Sequence, residues 1–350
     1  MHLSDFDYEL PSERIAQTPI APRDSARLLV DRGSAAPEHR HVRDLPSLLR
    51  AGDLLVVNET KVIPARLALR RQSGGAAEVL MLEPRDGERR IWEALVRPAR
   101  KLKPGEVLAG ADGEPVVEIG ERIPFAGQAG DTFTVRLVGS TDSLTVLDAH
   151  GEMPLPPYIT ERLADPDRYQ TVYARQPGSA AAPTAGLHFT PELLDALAGR
   201  GIAQAMVELV VGLDTFRPIA TDNPLDHRMH TERYQVPEAT MAAVTATRAS
   251  GGRVVAVGTT SVRALESAAS RGELEGRTDI FIHRDVEGRG YEWRVVDMLM
   301  TNFHLPRTTL LMMIDAFVGE RWRDLYGIAL HEQYRFLSFG DAMLLDRHAG

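Results

Sequence analysis

The sequence predicts an α/β protein with a small all-β, barrel-like domain inserted into it. Three observations predict this. After about residue 180, short apolar runs alternate with stretches of helical period. Between about 66 and 150 no helical period occurs, only short runs rich in Val, Leu, Ile and aromatic residues, cut by Gly, Pro and Asp. The Pro-rich "GEMPLPPYI" (151–159) then marks the exit from that texture. The expected division is a discontinuous α/β unit, 1–65 plus 151–350, and an insert at 66–150.

Taken in order, "DLPSLLRAG" reads as a short helix ended by Gly52, and "DLLVVNET" as a buried strand running into polar residues. In the insert, "AEVLML", "RIWEALV", "PVVEI" and "TFTVRLV" read as strands. In the last of these Phe133, Val135 and Leu137 alternate with Thr132, Thr134 and Arg136. After 180, Thr190 is an N-cap with Pro191 at the first helical position, and Gly199 and Gly201 end that helix. "AMVELVV" is a strand. "PEATMAAVTATRAS" is a helix started by Pro237, "RVVAVG" a strand and "SVRALESAAS" a helix. "DIFIH" and "EWRVVDML" read as strands, "PRTTLLMMIDAFVG" as a helix entered at Pro306, and "YRFLSFGDAMLL" as a closing strand pair.

Composition narrows the chemistry. Of 350 residues none is cysteine, which removes disulfides, iron–sulfur clusters and thiolate zinc sites. "MHLSDFDYEL" carries acids where a signal peptide needs positive charge, and the apolar stretch Thr309–Ile314 is far too short to span a bilayer. A cytoplasmic protein without membrane attachment is expected. Net charge is −9, yet Lys61 to Lys103 holds eleven Lys and Arg against five Asp and Glu, a net of +6. A basic lobe on an acidic body suits a polyanion docking on one face; the plain alternative is a solvated, charge-rich β surface.

Three loops fall where strands end and helices begin, the place where open α/β sheets bind ligands. The first, "AAAPTAGLHFT", offers Thr184, Gly186 and His188. The second, "AVGTTSVRALE", offers a tight turn at Gly258, hydroxyls of Thr259, Thr260 and Ser261 near the free N–H groups of a helix start, and Arg263. Arg263 is poorly placed for the helix dipole, so it fits a partner or a ligand carboxylate; the alternative for the hydroxyls is helix capping. The third, "TNFHLPRTTLL", crowds Asn302, His304 and Arg307 into one turn, able to bond a base or ribose, or else to satisfy buried backbone. "DHRMH" places His227 and His230 three apart near Asp226 and Glu232. A hydrogen-bonded cluster is expected there, and no metal. Glu208 and Asp214 are candidate bases if buried, and a solvent-facing residue and a turn residue if not.

Together these blocks resemble the S-adenosylmethionine:tRNA ribosyltransferase-isomerases. The resemblance lies in "DFDYELPSERIAQTPIAPRDSARLL", "NETKVIPARL", "HGEMPLPPYI", "RYQTVYARQPGSAAAPTAGLHFT", "DHRMHTE", "VVAVGTTSVRALES", "VVDMLMTNFHLPRTTLLMMIDAFVG" and "YRFLSFGDAML", from residue 3 to about 345. The resemblance implies an α/β domain with an inserted β-barrel. It also implies transfer and isomerisation of the ribosyl part of S-adenosylmethionine onto the aminomethyl group of 7-aminomethyl-7-deazaguanine at the tRNA wobble position. Adenine and methionine leave, and epoxyqueuosine remains in the tRNA. S-adenosylmethionine would be a co-substrate, with no separate cofactor or metal.

On that reading His188, Asp214 and His304 are the candidate catalytic groups. Thr184, Gly186, Gly258, Thr259, Thr260, Ser261, Arg263 and Asn302 would bind S-adenosylmethionine. Lys61, Arg66, Arg97, Arg100, Lys101 and Lys103 would meet tRNA phosphates, and a monomer is the default. Departures from the family pattern are Val210 where a His is usual, Asp214 where Gly is common, Ala76 where Lys is common, and "HRDVEGRGYEW" (283–293) in place of a Tyr-Pro-Gly turn. Asp214 or His283 would stand in for the missing His. The competing readings are a family paralogue with another acceptor, a tRNA methyltransferase using the same co-substrate, and a tRNA-binding protein without catalysis.

Overall fold

The computed structural model describes residues 1–33, 35–125, 128–139, 142–212, 219, 221–227, 229, 231–285 and 287–347. The first strands are β1 (Arg27–Asp31), β2 (Glu38–His41), β3 (Leu54–Asn58) and β4 (Thr60–Val62). Next come β5 (Arg66–Arg70), β6 (Ala76–Pro84), β7 (Ile91–Arg97), β8 (Val107–Ala109), β9 (Pro115–Phe125), β10 (Gln128–Leu137) and β11 (Gly151–Glu152). The last are β12 (Gln176–Ser179), β13 (Ala203–Leu209), β14 (Glu232–Gln235), β15 (Val254–Val257), β16 (Glu275–Thr278), β17 (Met298–Asn302) and β18 (Ala342–Asp346). The helices are α1 (Leu45–Leu48), α2 (Ser143–His150), α3 (Pro191–Gly199), α4 (Glu238–Ala249), α5 (Gly258–Arg271), α6 (Thr309–Val318) and α7 (Trp322–His331).

The large sheet has the order β16-β14-β13-β3-β15-β17-β18-β1-β2. Its centre is parallel: β3 runs with β13 and β15, and β15 with β17, before β18 turns back antiparallel. Both faces of this centre are covered, which explains why "LLVV" and "VVAV" are apolar at every position. Leu54, Val56, Val254 and Ala256 pack on one face with Val262 and Leu265 of α5. Leu55, Val57, Val255 and Val257 pack on the other with Leu193 and Leu197 of α3.

The second sheet closes on itself. Six antiparallel strands in the order β5-β6-β7-β10-β9-β8 are sealed by the β5–β8 pair at Arg70 and Ala109, and β11 adds to β5. Period-two alternation fills the interior: Leu67 and Leu69 of β5 point in while Ala68 and Arg70 are exposed. Trp92, Phe133 and Val135 join them in the barrel core. The barrel meets the α/β body through a bidentate Arg277–Glu83 pair and through bonds from Arg89 to Pro177 O (3.3 Å) and Arg66 to Leu155 O (3.3 Å).

Several elements depart from the sequence reading. Residues 279–283 form no strand, because Thr278 Oγ1 takes the Ile280 N–H and closes β16 into a turn (3.1 Å). β17 begins only at Met298. The N–H groups of Arg294, Val295 and Val296 are bound by the buried Glu266 carboxylate and cannot join a ladder. The end of the chain gives one strand, not two, since Asp341 gathers the Arg335 and Arg27 N–H groups and folds 335–341 into a turn. Arg307 has φ +58°, so α6 starts after Thr308, whose hydroxyl caps the Leu311 N–H. Helix α5 starts at Gly258, which puts Arg263 in its second turn. Helix α7 had no counterpart in the expectation.

Candidate active site

At the carboxyl ends of β13, β15 and β17 lies an open cleft. Four chain segments make it. The loop after β12 supplies Ala181 to Ala185, and the start of α5 supplies Gly258, Thr259, Thr260 and Arg263. The turn after β17 supplies Thr301 to Leu305 and the start of α6, and Tyr158 and Ser338 close the remaining side. Each wall follows from local sequence. Gly258 has φ +82°, a conformation only glycine adopts without strain, and this turns the chain straight from β15 into α5. No side chain caps α5, so its first N–H groups face the cleft with the positive end of the dipole. Thr308, Thr309 and Leu310 bring the start of α6 to the same space.

The polar network is specific. Thr184 Oγ1 donates to Asn302 Oδ1 (2.9 Å), and Asn302 Nδ2 donates to Leu337 O (3.1 Å), so this one amide ties three segments together. His304 lines the cleft with Nε2 3.2 Å from Thr301 Oγ1. Its backbone is held by Tyr326 Oη on the N–H (3.0 Å) and by Tyr8 Oη on the carbonyl. Burial pushes the His304 imidazole down to about 3, so it is neutral at physiological pH. Tyr158 Oη and Ser338 Oγ are 2.7 Å apart. On the floor Arg263 Nη1 donates to Glu232 Oε2, and Glu232 Oε1 accepts the Gly212 N–H (2.8 Å).

The sequence-derived candidates divide. Thr184, Gly258, Thr259, Thr260, Arg263, Asn302 and His304 all line this cleft. Ser261 does not: its hydroxyl returns to Val257 O (2.7 Å) inside α5. Gly186 packs behind the wall, where an added Cβ would stand 2.0 Å from Tyr173 Oη. His188 is displaced too. Its Nδ1 lies 3.0 Å from Ala185 O and its Nε2 2.9 Å from Gly340 O, and the ring is 4% exposed. Both nitrogens face backbone carbonyls, so His188 presents neither of them to the cleft. Asp214 and His230 lie outside the described residues.

Glu208 sits half-buried on β13 away from the cleft. Burial raises its carboxyl, the Arg233 charge opposes this, and Glu59 adds to it. Val210, at the family's usual His, bonds Arg233 O in the β13–β14 ladder (3.0 Å). His283 lies tilted against Phe281 and is not among the cleft-lining residues. Arg307 ties the turn to Asp7. Lys61 on β4 and Arg97, Arg100, Lys101 and Lys103 on the insert are exposed, whereas Arg66 is engaged by Glu78 and Leu155 O. Among the described residues no cluster of His, Asp and Glu has the arrangement of a metal site.

Glu232, Tyr158 and Ser338 were not expected in the site as cleft-forming groups. Each lies in a family block, "DHRMHTE", "GEMPLPPYI" and "YRFLSFGDAML", without being singled out there. No local pattern points from a Tyr at 158 to a Ser at 338.

The chain matches the family model described as queuosine biosynthesis protein over residues 3–345. It is 51% identical to the S-adenosylmethionine:tRNA ribosyltransferase-isomerase of Symbiobacterium thermophilum, over 99% of this chain and all of that protein. It is 51% identical to that of Moorella thermoacetica, with 99% and 100% covered. The crystal structure of S-adenosylmethionine tRNA ribosyltransferase from Thermotoga maritima superposes with a TM-score of 0.54 at 37% identity, covering 97% of this chain and 99% of that one. An α/β body with an inserted closed barrel, a cleft built from the resemblance blocks, and full-length similarity at this level show that the chain belongs to the queuosine biosynthesis family of S-adenosylmethionine:tRNA ribosyltransferase-isomerases.

Proposed function

We propose that this chain transfers and isomerises the ribosyl group of S-adenosylmethionine onto 7-aminomethyl-7-deazaguanine at the wobble position of tRNA. Adenine and methionine are released, and epoxyqueuosine remains in the tRNA. One observation carries the reading most directly: family blocks lying up to 180 residues apart in sequence, from Tyr158 to Ser338, meet at one cleft.

The chemistry fits the groups present. A sulfonium acidifies the adjacent ribose C5′–H, so a base can form a ylide-like carbanion. Adenine then departs, and the amine of the modified base attacks the opened sugar. The positive sulfur supplies the activation, and no resident cofactor is required. Departing adenine gains negative charge, which the positive end of α6 at the cleft can offset. Neutral His304 serves as a hydrogen-bonding partner for the base, not as a proton carrier near pH 7, because burial holds it near 3. Glu232 has its carboxylate engaged by Arg263 and the Gly212 N–H. The proton acceptor in this reading is Asp214, the carboxylate that the sequence already offers as a candidate base. Exposed Arg97, Arg100, Lys101 and Lys103, with Lys61, form the phosphate-binding face. The enzyme acts as a cytoplasmic protein, and as a monomer. Among the described residues no helix is long and apolar enough to cross a membrane.

The test is incubation with S-adenosylmethionine and tRNA carrying 7-aminomethyl-7-deazaguanine, followed by mass analysis. Free adenine, methionine and an epoxyqueuosine nucleoside are expected. S-adenosylhomocysteine would show methyl transfer instead. Retention of tRNA with nothing released would show a binding protein.

A further inference from the structure

Arg263 carries hydrogen-bonding capacity that the protein does not use. Its side chain is 8% exposed. Nη1 is bound to Glu232, while Nε and Nη2 are buried and have no partner among the described residues. A guanidinium cannot shed its proton to escape that cost. Buried donors of a charged group left unbonded are expensive, and native proteins rarely leave them so without a reason.

The two idle nitrogens are not arbitrary ones. Nε–H and Nη2–H lie on the same edge of the guanidinium and point the same way, the spacing that a carboxylate accepts with both oxygens at once. Glu232 occupies the other side and fixes the plane. Arg263 lines the cleft together with Thr259 and Thr309. It also borders a smaller apolar hollow lined by Ile280, Phe281, Ile282 and Met313. Apolar neighbours strengthen any charge-assisted bond made there. A tRNA phosphate is the weaker fit, since the exposed cations stand on the barrel while Arg263 lies in the cleft floor.

We propose that Arg263 binds the α-carboxylate of the methionine part of S-adenosylmethionine through Nε and Nη2, with Glu232 orienting it through Nη1. The proposal rests on the functional reading above and refines it by fixing which end of the co-substrate lies at the base of α5.

The test compares equilibrium binding of S-adenosylmethionine with that of its decarboxylated analogue, without tRNA. The wild-type protein should bind the intact molecule roughly 10- to 100-fold more tightly. Arg263→Gln should erase that preference, and Arg263→Lys, which keeps the charge and loses the fork, should restore only part of it. Thermal melts of both variants check folding, and Arg263→Lys, which keeps the charge that Glu232 needs, carries the test if Arg263→Gln does not fold. Equal wild-type affinity for the two ligands overturns the Arg263 assignment and leaves the functional reading standing. A preference that survives Arg263→Gln in a folded variant overturns it too. Failure of the wild type to bind either ligand removes both.

Discussion

On the barrel, Arg97 keeps 81% of its side chain in solvent, and its nearest carboxylate, on Glu78, lies 3.9 Å away. On the cleft floor, Arg263 keeps 8% and is bonded to Glu232. The neighbours repeat the contrast: Arg100, Lys101 and Lys103 stand in solvent, while His304 is buried and held neutral by desolvation. Exposed charges act over a Debye length and weaken with salt. Buried ones act over hydrogen-bond distances and barely sense it. The protein thus separates a long-range surface suited to a polyanion from a short-range site suited to one small molecule. Changes in the cleft should alter chemistry and leave salt dependence alone, and changes on the barrel should do the reverse.

The largest break expected is loss of the proposed general base. Asp214→Asn should lower turnover by roughly 10²–10⁴-fold, the typical contribution of a general base. Affinity for S-adenosylmethionine and the salt slope for tRNA should both hold. Turnover within about threefold of wild type in single-turnover assays would move the base elsewhere.

Next comes the buried imidazole. A histidine held near 3 when folded and near 6.5 when unfolded lets the unfolded chain bind more protons between those values. Stability is therefore fully present above about pH 6.5 and falls as pH drops toward 3, by about 1.4 kcal/mol per unit. Denaturant titrations of the wild type from pH 6.5 to 4.5 should show that slope in excess of the carboxylate background. His304→Gln should remove it. Parallel pH profiles for the two proteins would mean that the ring protonates in the folded state.

On the barrel, Arg100→Gln with Lys101→Gln should cut tRNA affinity about tenfold near physiological salt. It should also reduce the slope of log affinity against log salt by about 2. Binding of S-adenosylmethionine should not change. An unaltered slope in filter binding would place the phosphates on another face.

How far the sequence revealed these two regions differs for a physical reason. Barrel strands carry their own signal: burial alternates along "RLALR", and in "TFTVRLV" Phe133, Val135 and Leu137 are all buried. The parallel strands were equally plain, because sheets covered on both faces demand unbroken apolar runs such as Leu54–Val57. Cleft side chains carry no such signal. His188 looked like a group at a loop's edge, yet its fate was set by the carbonyl of Gly340, 152 residues on. The strand misplaced at 292–299 failed for a similar reason, since Glu266 captures its amides from helix α5. Local pattern marks which segments can be strands. The destination of one polar side chain depends on which distant backbone group lacks a partner.

The smallest predicted effect tests the joint between the two regions. Arg277 on β16 grips Glu83 on β6 with two bonds, one of 3.1 Å, and also donates to Thr231 O (2.8 Å) and to Thr231 Oγ1 (2.9 Å). The Arg277 side chain is 40% exposed, so solvent screens the pair, and Glu83→Gln should cost under about 1 kcal/mol in denaturant unfolding. Its functional effect should be larger than its energetic one. If barrel and cleft must hold one tRNA at once, a looser joint widens the range of relative positions and lowers the share that lines up. The KM for tRNA should then rise a few-fold while S-adenosylmethionine affinity and the salt slope of tRNA binding stay at wild-type values. A variant with unchanged KM would mean that the Arg89–Pro177 and Arg66–Leu155 contacts already hold the barrel in place. The Arg277–Glu83 pair would then be a surface ion pair without consequence for how the two regions share their substrate.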